Sequence, residues 1–390
     1  MKICAVVPGF YRHDGVAYVA RHLTTALADR GVDCWIVTDS GRDGDVAFDP
    51  GPCVEIRTVA EPALPFPIDV FGYAARAAPT IRRLHRRHGF DLVHAHGHHL
   101  LAAGLFDQLR VVGAPLLATA HGTYRNELVA FEAYPAFEGQ WRYRTGVRLD
   151  QRILAYGCGR ADRIHAVASQ TADELRTMGF DPADIDVVPN GVDLKEFDRE
   201  RDDLPQVRDE NDLGAAPLVV SVGSVVPRKG VHDLAAAAVA LRDRRPRARV
   251  VHVGGVGHPG YADVVEELAA GTNGAMSLTG RVSRQALLGW LDAADVYASA
   301  SYSEGCPISL LEAAASATTT VATDIGGSRD VLGDHGRYVD PSDSAALAAA
   351  LDEALDDPGA GRRLRRRVGS AFRWPDLAGE LLESYRRCAA

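Results

Sequence analysis

Leu218-Val219-Val220-Ser221-Val222-Gly223-Ser224-Val225-Val226-Pro227-Arg228-Lys229-Gly230 decides how the chain folds. A short, almost wholly apolar run ends on a glycine, and a loop with two cations leads into a helix-like stretch from Val231. Such a run suits a strand buried on both faces, and a helix directly after it makes the unit of a parallel sheet. The pattern recurs toward the C-terminus. Strands are predicted at Arg249–Val253, Met276–Leu278, Val296–Ala298, Thr320–Thr323 and Arg337–Val339. Helices are predicted over Val231–Arg242, Tyr261–Leu268, Arg284–Ala293, Ser309–Ala315, Ser328–Leu332 and Ser344–Leu355.

Toward the N-terminus the same alternation gives strands at Ile3–Val7, Cys34–Thr38, Asp91–Ala95, Pro115–Thr119, Arg163–Val167 and Ile185–Val188. Helices are expected at Val16–Asp29, Tyr73–His88, Leu100–Leu109, Gly146–Tyr156 and Thr171–Met178. Asp193–Pro217 is crowded with charge, lacks apolar periodicity and reads as a linker entering a second domain. The expected class is α/β, with two doubly wound Rossmann-like domains, 1–195 and 196–374, facing across a cleft. Ligands bind such sheets where strand-to-helix loops and helix N-termini converge.

At 390 residues the chain exceeds what one hydrophobic core organises, in keeping with two domains. With 46% hydrophobic and 24% charged residues it is an ordinary globular chain, which excludes disordered, collagen-like and mucin-like readings. A net charge of −9 argues against nucleic acid as a partner. The six cysteines are scattered without a CxxC pair, so reduced thiols in a cytoplasmic protein are expected. No stretch has the length of apolar residues that a membrane span needs.

The strongest local constellation is Ser303-Glu304-Gly305-Cys306-Pro307-Ile308-Ser309-Leu310-Leu311-Glu312. Its two carboxylates follow a strand and enter a helix, where they can hold the hydroxyls of a ribose or hexose. Backbone N–H groups of Gly305, Cys306, Ile308 and Ser309 can face a diphosphate there. Ser309 and Glu312 also satisfy a plain capping box, S-x-x-E. Arg228 and Lys229 suit the charge of a departing diphosphate, or form a solvated basic turn. The turn Asp324-Ile325-Gly326-Gly327-Ser328 offers a second anion-accepting nest. In the N-terminal half, Asp14-Gly15-Val16 opens the first helix and Thr119-Ala120-His121-Gly122-Thr123 follows a strand.

Taken in order, these residues resemble the retaining nucleotide-sugar glycosyltransferases of family 4, which have the GT-B fold. The resemblance includes Asp91-Leu92-Val93-His94-Ala95-His96-Gly97, Val188-Pro189-Asn190-Gly191-Val192-Asp193, Gly280-Arg281-Val282 and the Glu304/Glu312 pair, and spans nearly the whole chain. It implies that Glu304 contacts the donor sugar, Glu312 the ribose, and Lys229 with Arg228 the diphosphate, with His121 beside the transferred sugar. Donor contacts are further implied at Gly15, Gly223, Arg281, Val282, Gly305, Cys306, Pro307, Ile308 and Ser309. Acceptor contacts are expected at His98, His99 and Tyr124. The resemblance also implies that a final helix over 375–390, after Trp374-Pro375, completes the first domain. The chain departs from the family's usual pattern at Asp14, Ser224, Cys306-Pro307, Ala317 and Thr319.

The implied reaction moves a sugar from a nucleotide diphosphate, UDP or GDP, to a hydroxyl of a glycan, lipid or small molecule. It retains anomeric configuration and uses no metal or cofactor. The same residues also suit a GT-B sugar-nucleotide epimerase or hydrolase, or a non-catalytic sugar-nucleotide-binding protein. Gly255-Val256-Gly257-His258-Pro259-Gly260 matches GxGxxG but lacks the acidic residue a dinucleotide site needs about 20 residues on. His94, His96, His98 and His99 are read as cleft-lining rather than metal-binding. Arg76, Arg82, Arg83, Arg86 and Arg87 form a basic helix face, either solvated or docking at the inner membrane surface.

Overall fold

A computed structural model describes residues 1–7, 9–12, 14–41, 48–49, 51–60, 68–97, 113–198 and 204–390, with backbone alone at 68–71. Two compact units divide the chain. The first joins Met1–Thr123, Arg148–Gly191 and Trp374–Ala390; the second joins Tyr124–Val147 and Val192–Arg373.

Seven strands form the first unit's sheet among the described residues: β1 (Lys2–Val7), β2 (Asp33–Asp39), β3 (Val54–Val59), β4 (Leu92–His96), β5 (Leu116–Ala120), β6 (Arg163–Ala166) and β7 (Ile185–Val187). They run in the order β3-β2-β1-β4-β5-β6-β7, and every pairing is parallel. Cys4, Val6 and Val7 of β1, an inner strand, are fully buried, as covering both sheet faces with helices requires. β3 is not among the strands expected from the sequence. It is an edge strand with one partner, so Glu55, Arg57 and Thr58 can stay polar and hide the apolar rhythm.

The helix Trp374–Ala389 belongs to this unit. The Trp374 indole stacks on His22 at 5.4 Å and 9°, and Arg30 Nε donates to the Pro375 carbonyl at 3.0 Å. Farther along, Arg387 Nη2 donates to Asp186 Oδ1 at 2.8 Å, while Tyr385 is fully buried.

The second unit holds β8 (Leu218–Val222), β9 (Arg249–Val253), β10 (Met276–Leu278), β11 (Val296–Ser299), β12 (Thr319–Thr323) and β13 (Arg337–Val339). Their order is β10-β9-β8-β11-β12-β13, again all parallel. Its core contains Phe131, Tyr134, Phe137 and Val147 beside Val219, Leu234 and Tyr261. The segment Tyr124–Val147 therefore packs in this unit, whereas the sequence boundaries placed it in the first domain. Burial of those four side chains is the reason, worth about 1.5–3 kcal/mol for each large apolar one.

A helix that the sequence reading passed over, Gly359–Ala371, is rich in arginine and buries only a narrow stripe that includes Ala360, Leu364 and Val368. A Cβ on Gly361 would come within 1.7 Å of the Ala317 carbonyl oxygen, so only glycine permits that contact. The helix expected at Leu100–Leu109 lies outside the described residues.

Candidate functional site

The chain order reverses on either side of β8, whose neighbours are β9 and β11. Loops leaving the carboxyl ends of β8 and β11 turn to opposite faces there, which is where doubly wound sheets bind ligands. The β8 loop contains a single 3-10 turn, Pro227–Lys229, closed by Gly230 at φ 61°. The β11 loop passes through Glu304 into the helix Ile308–Ala315. The two loops are joined by Tyr302 N–H donating to the Arg228 carbonyl at 2.7 Å.

Glu304 is the centre of this junction. The Lys229 ammonium and Ser301 Oγ donate to its Oε1, the latter at 2.9 Å, and Arg228 Nη1 lies 3.3 Å from Oε2. The Glu304 and Lys229 side chains are only 9% and 16% exposed. Burial alone would raise the Glu304 carboxyl pKa, but Lys229 and Arg228 outweigh it and hold the group below the ordinary carboxylate range. Burial pulls Lys229 down, helped by Arg228 and opposed by Glu304. The result is an ionised carboxylate held between a mostly buried Lys229 and a partly exposed Arg228.

The glycines of Asp324–Ser328 serve this carboxylate's backbone. A Cβ on Gly326, at φ 50°, would sit 2.1 Å from the Glu304 carbonyl oxygen. Gly327 N–H donates to the Gly305 carbonyl at 2.5 Å and Ser328 N–H to Ile325 at 3.0 Å. With those donors spent, the turn is a support rather than the anion nest expected of it.

Glu312 is buried at 4% exposure and pairs with Arg284, which also holds Glu196. Burial raises its pKa, with Arg284 pulling the other way. The capping-box alternative does not hold. The helix starts at Ile308 with Pro307 as its N-cap, Ser309 lies inside it hydrogen-bonded to Tyr297, and no side chain caps the start.

Other expected donor residues gather around the same loops. His252 Nε2 donates to the Gly223 carbonyl at 2.9 Å, and burial drives that ring's pKa down to about 4. Arg281 is exposed and Val282 half-buried on the loop after β10, where Gly254 N–H donates to the Gly280 carbonyl at 3.1 Å. The GxGxxG stretch is a packing device: a Cβ on Gly257 would lie 2.5 Å from Val226 Cγ1, and one on Gly260 would lie 2.3 Å from the Glu138 carbonyl oxygen. Cys306 and Pro307 are buried, while Ile308 and Ser309 are half-buried.

In the first unit, Asp14 caps the helix Gly15–Ala28 by accepting from Ala17 N–H at 2.7 Å. A Cβ on Gly15 would meet nothing within 4 Å, so packing does not demand glycine there. His121, half-buried just past β5, has Nε2 3.1 Å from His96 Nδ1, and burial pushes its pKa down to about 3. His94 is buried rather than lining a ligand site, and it belongs to a directed hydrogen-bond chain. His165 Nε2 donates to the Val188 carbonyl at 2.7 Å, which leaves Nδ1 to accept from Thr119 Oγ1 at 3.0 Å. Thr119 in turn accepts from His94 Nε2 at 2.6 Å, and His94 Nδ1 accepts from Tyr385 Oη at 2.7 Å.

Tyr124 is the first residue of the second unit, left-handed at φ 61°. His98 and His99 lie outside the described residues. The structure thus brings Arg228, Lys229, Glu304, Gly223 and the start of Glu312's helix together in one unit, and places His121 and Gly15 in the other.

Residues 13–196 match the family described as Glycosyltransferase Family 4, and residues 216–357 match that described as Glycosyl transferases group 1. The chain is 30% identical over 394 residues to a D-inositol 3-phosphate glycosyltransferase of Arthrobacter sp. (strain FB24), covering 97% of this chain and 91% of the relative. The chain is a member of glycosyltransferase family 4. Among solved structures, sucrose-phosphate synthase from Thermosynechococcus elongatus superposes with a TM-score of 0.80 at 22% identity, covering 99% of this chain and 98% of that one. Anabaena HepE in complex with UDP and glucose gives 0.78 at 15% identity, with 99% of each chain covered. The family 4 glycosyltransferase therefore has the GT-B fold.

Sequence reasoning missed three residues of this glycosyltransferase that shape the site: Ser301, His252 and Arg284. His252 and Arg284 act through contacts distant in sequence, and Ser301, three positions before Glu304, lies in a loop without a pattern of its own. Arg284, for example, reaches Glu312 across 28 positions, and no local pattern marks that pairing. Among the described residues no group of three or more His, Cys, Asp and Glu side chains is arranged to hold a metal ion. No described helix is long and apolar enough to cross a membrane.

Proposed function

We propose that the enzyme transfers a sugar from a nucleotide-diphosphate donor, UDP- or GDP-linked, to an acceptor hydroxyl, retaining anomeric configuration and without a metal. The observation that carries this reading is the Glu304, Lys229 and Arg228 cluster at the reversal point of the second sheet. Lys229 and Arg228 neutralise the diphosphate as its bond to the sugar breaks, work a metal ion does in other enzymes. The helix start at Ile308 adds its dipole. Glu304 orients the sugar and faces the positive charge that develops on it. Glu312 takes the ribose, Arg281 and Val282 the base, and Gly15 leaves room for the phosphates. The second unit is then the donor-binding unit. The first, with His121, serves the acceptor, and the departing phosphate oxygen takes the acceptor's proton.

That HepE was solved with UDP and glucose supports a nucleotide-sugar donor. Relatives named for D-inositol 3-phosphate favour a small phosphorylated polyol as acceptor. Incubating the protein with UDP- and GDP-sugars, with and without D-inositol 3-phosphate, and following free nucleotide tests the reading. Acceptor-dependent release that persists in EDTA, with the donor's anomeric configuration kept in the product, is expected. Release without acceptor would make the protein an epimerase or hydrolase, and binding without release a sensor.

A further inference from the structure

Arg284 opens the helix Arg284–Ala293, and Ser283 caps it by accepting from Ala286 N–H at 3.2 Å. A cation in the first turn sits at the wrong end of the helix dipole, and this turn has no acidic residue of its own to offset it. The anions come from elsewhere in the second unit. Arg284 Nη1 donates to Oε1 of Glu312, and Nη2 donates to Oε2 of Glu196. Glu196 lies in the 3-10 turn Leu194–Phe197, which Asp193 caps by accepting from Lys195 N–H at 3.0 Å. The Phe197 ring of that turn lies 5.9 Å from the guanidinium carbon. Arg365 fastens the same turn to the far end of Glu312's helix, donating to the carbonyls of Phe197, at 3.3 Å, and of Ala315. Among the described residues, Glu312 Oε2 has no hydrogen-bond partner.

Resting on the assignment of Glu312 to the ribose, we propose that Arg284, tethered by Glu196, is a positioning residue that engages one carboxylate oxygen of Glu312 and leaves the other to the ribose hydroxyls. The pair then decides for ribose over deoxyribose. A planar guanidinium suits the task, because it meets two carboxylates through separate nitrogens and so fixes which Glu312 oxygen is left over. Without a cation beside it, a carboxylate buried this deeply would take up a proton and weaken as an acceptor. Gripped by both nitrogens, it would have no oxygen to spare. Glu196 prevents that second arrangement by drawing Nη2 to itself. The turn Leu194–Phe197 thereby acts on the donor site through Arg284.

Calorimetry on the full chain compares UDP and GDP with their 2′- and 3′-deoxy forms for wild type, Glu312→Gln, Glu196→Gln, Arg284→Met and the double variant of the last two. Wild type should prefer the favoured ribonucleotide to a deoxy form by about tenfold or more, the size of one charge-assisted hydrogen bond. Arg284→Met should bring that preference within about twofold, and Glu196→Gln should cut it by about threefold. With Arg284→Met in place, Glu196→Gln should change nothing further. Losses that fall equally on ribo and deoxy forms, or effects that multiply in the double variant, overturn the proposal. Should Arg284→Met not fold, Arg284→Lys keeps a charge without the fork, and the same drop in preference decides. Glu312→Gln separates the two levels. If wild type shows no preference, or keeps it in Glu312→Gln, the ribose assignment falls and takes this proposal with it; if the preference vanishes there but persists in Arg284→Met, this proposal alone falls.

Discussion

Tyr302 donates its backbone N–H to the Arg228 carbonyl over 2.7 Å, and this bond fixes the loop that holds the cations against the loop that holds Glu304. The charges therefore occupy their positions before any substrate arrives. Preorganised charge of this kind avoids the reorganisation that water requires at the moment of reaction.

Glu304→Gln keeps an acceptor for Ser301 and removes the negative charge. Turnover should fall by about 100-fold or more, the usual scale for losing one preorganised electrostatic partner. Nucleotide diphosphate affinity should hold or tighten, because Lys229 no longer has a competing anion. Steady-state rates set beside calorimetric titration check this, and parallel losses in both would make Glu304 a structural residue.

Gly326→Ala places a methyl carbon 2.1 Å from the Glu304 carbonyl oxygen, on a backbone with positive φ. The loop must shift, at a cost of about 1–3 kcal/mol. Activity should drop more than global stability does, since the displaced group is the backbone of Glu304. Thermal unfolding and turnover, measured on the same preparation, separate the two effects.

Tyr385→Phe deletes the first donor of the buried hydrogen-bond chain and leaves His94 Nδ1 without it. Chemical denaturation should show a loss of about 1–3 kcal/mol, the cost of an unsatisfied buried acceptor. Nitrogen chemical shifts should report His94 and His165 both protonated at Nε2 in the wild type.

Acid should unfold the first unit from a higher pH than carboxylate titration alone explains. Burial lowers the pKa of His94 and His165 and brings His121 to about 3, so all three stay neutral when folded. Unfolded histidine takes up a proton near pH 6.5, and stability must then decline as pH drops from there toward the folded values. Each ring contributes about 1.4 kcal/mol per pH unit within that window. Urea midpoints at pH 7.5, 6.0 and 5.0 measure the slope, and His165→Gln should flatten it by one proton.

Both sheets could be read from apolar runs because parallel strands buried on two faces announce themselves, as β1 and β8 do. β3 could not, since an edge strand keeps Glu55 and Arg57 in water. The cluster of Arg228, Lys229 and Glu304 was foreseeable because each lies just past a strand at the sheet's reversal point. The partner of Glu312 was not, because Arg284, which also pairs with Glu196, opens a helix that only the fold brings to it. Nor was the allegiance of Tyr124–Val147, where spaced aromatic residues look like a loop until the core that receives them is known.

Helix Trp374–Ala389 has a consequence for synthesis. The sheet it covers ends at Val187, so a ribosome working at about 5–20 residues per second finishes the strands roughly 10–40 seconds before Tyr385 emerges to meet His94. Through that interval the nascent sheet lacks the helix that covers it, and the strands of the second sheet, Leu218 to Val339, are made within the same interval.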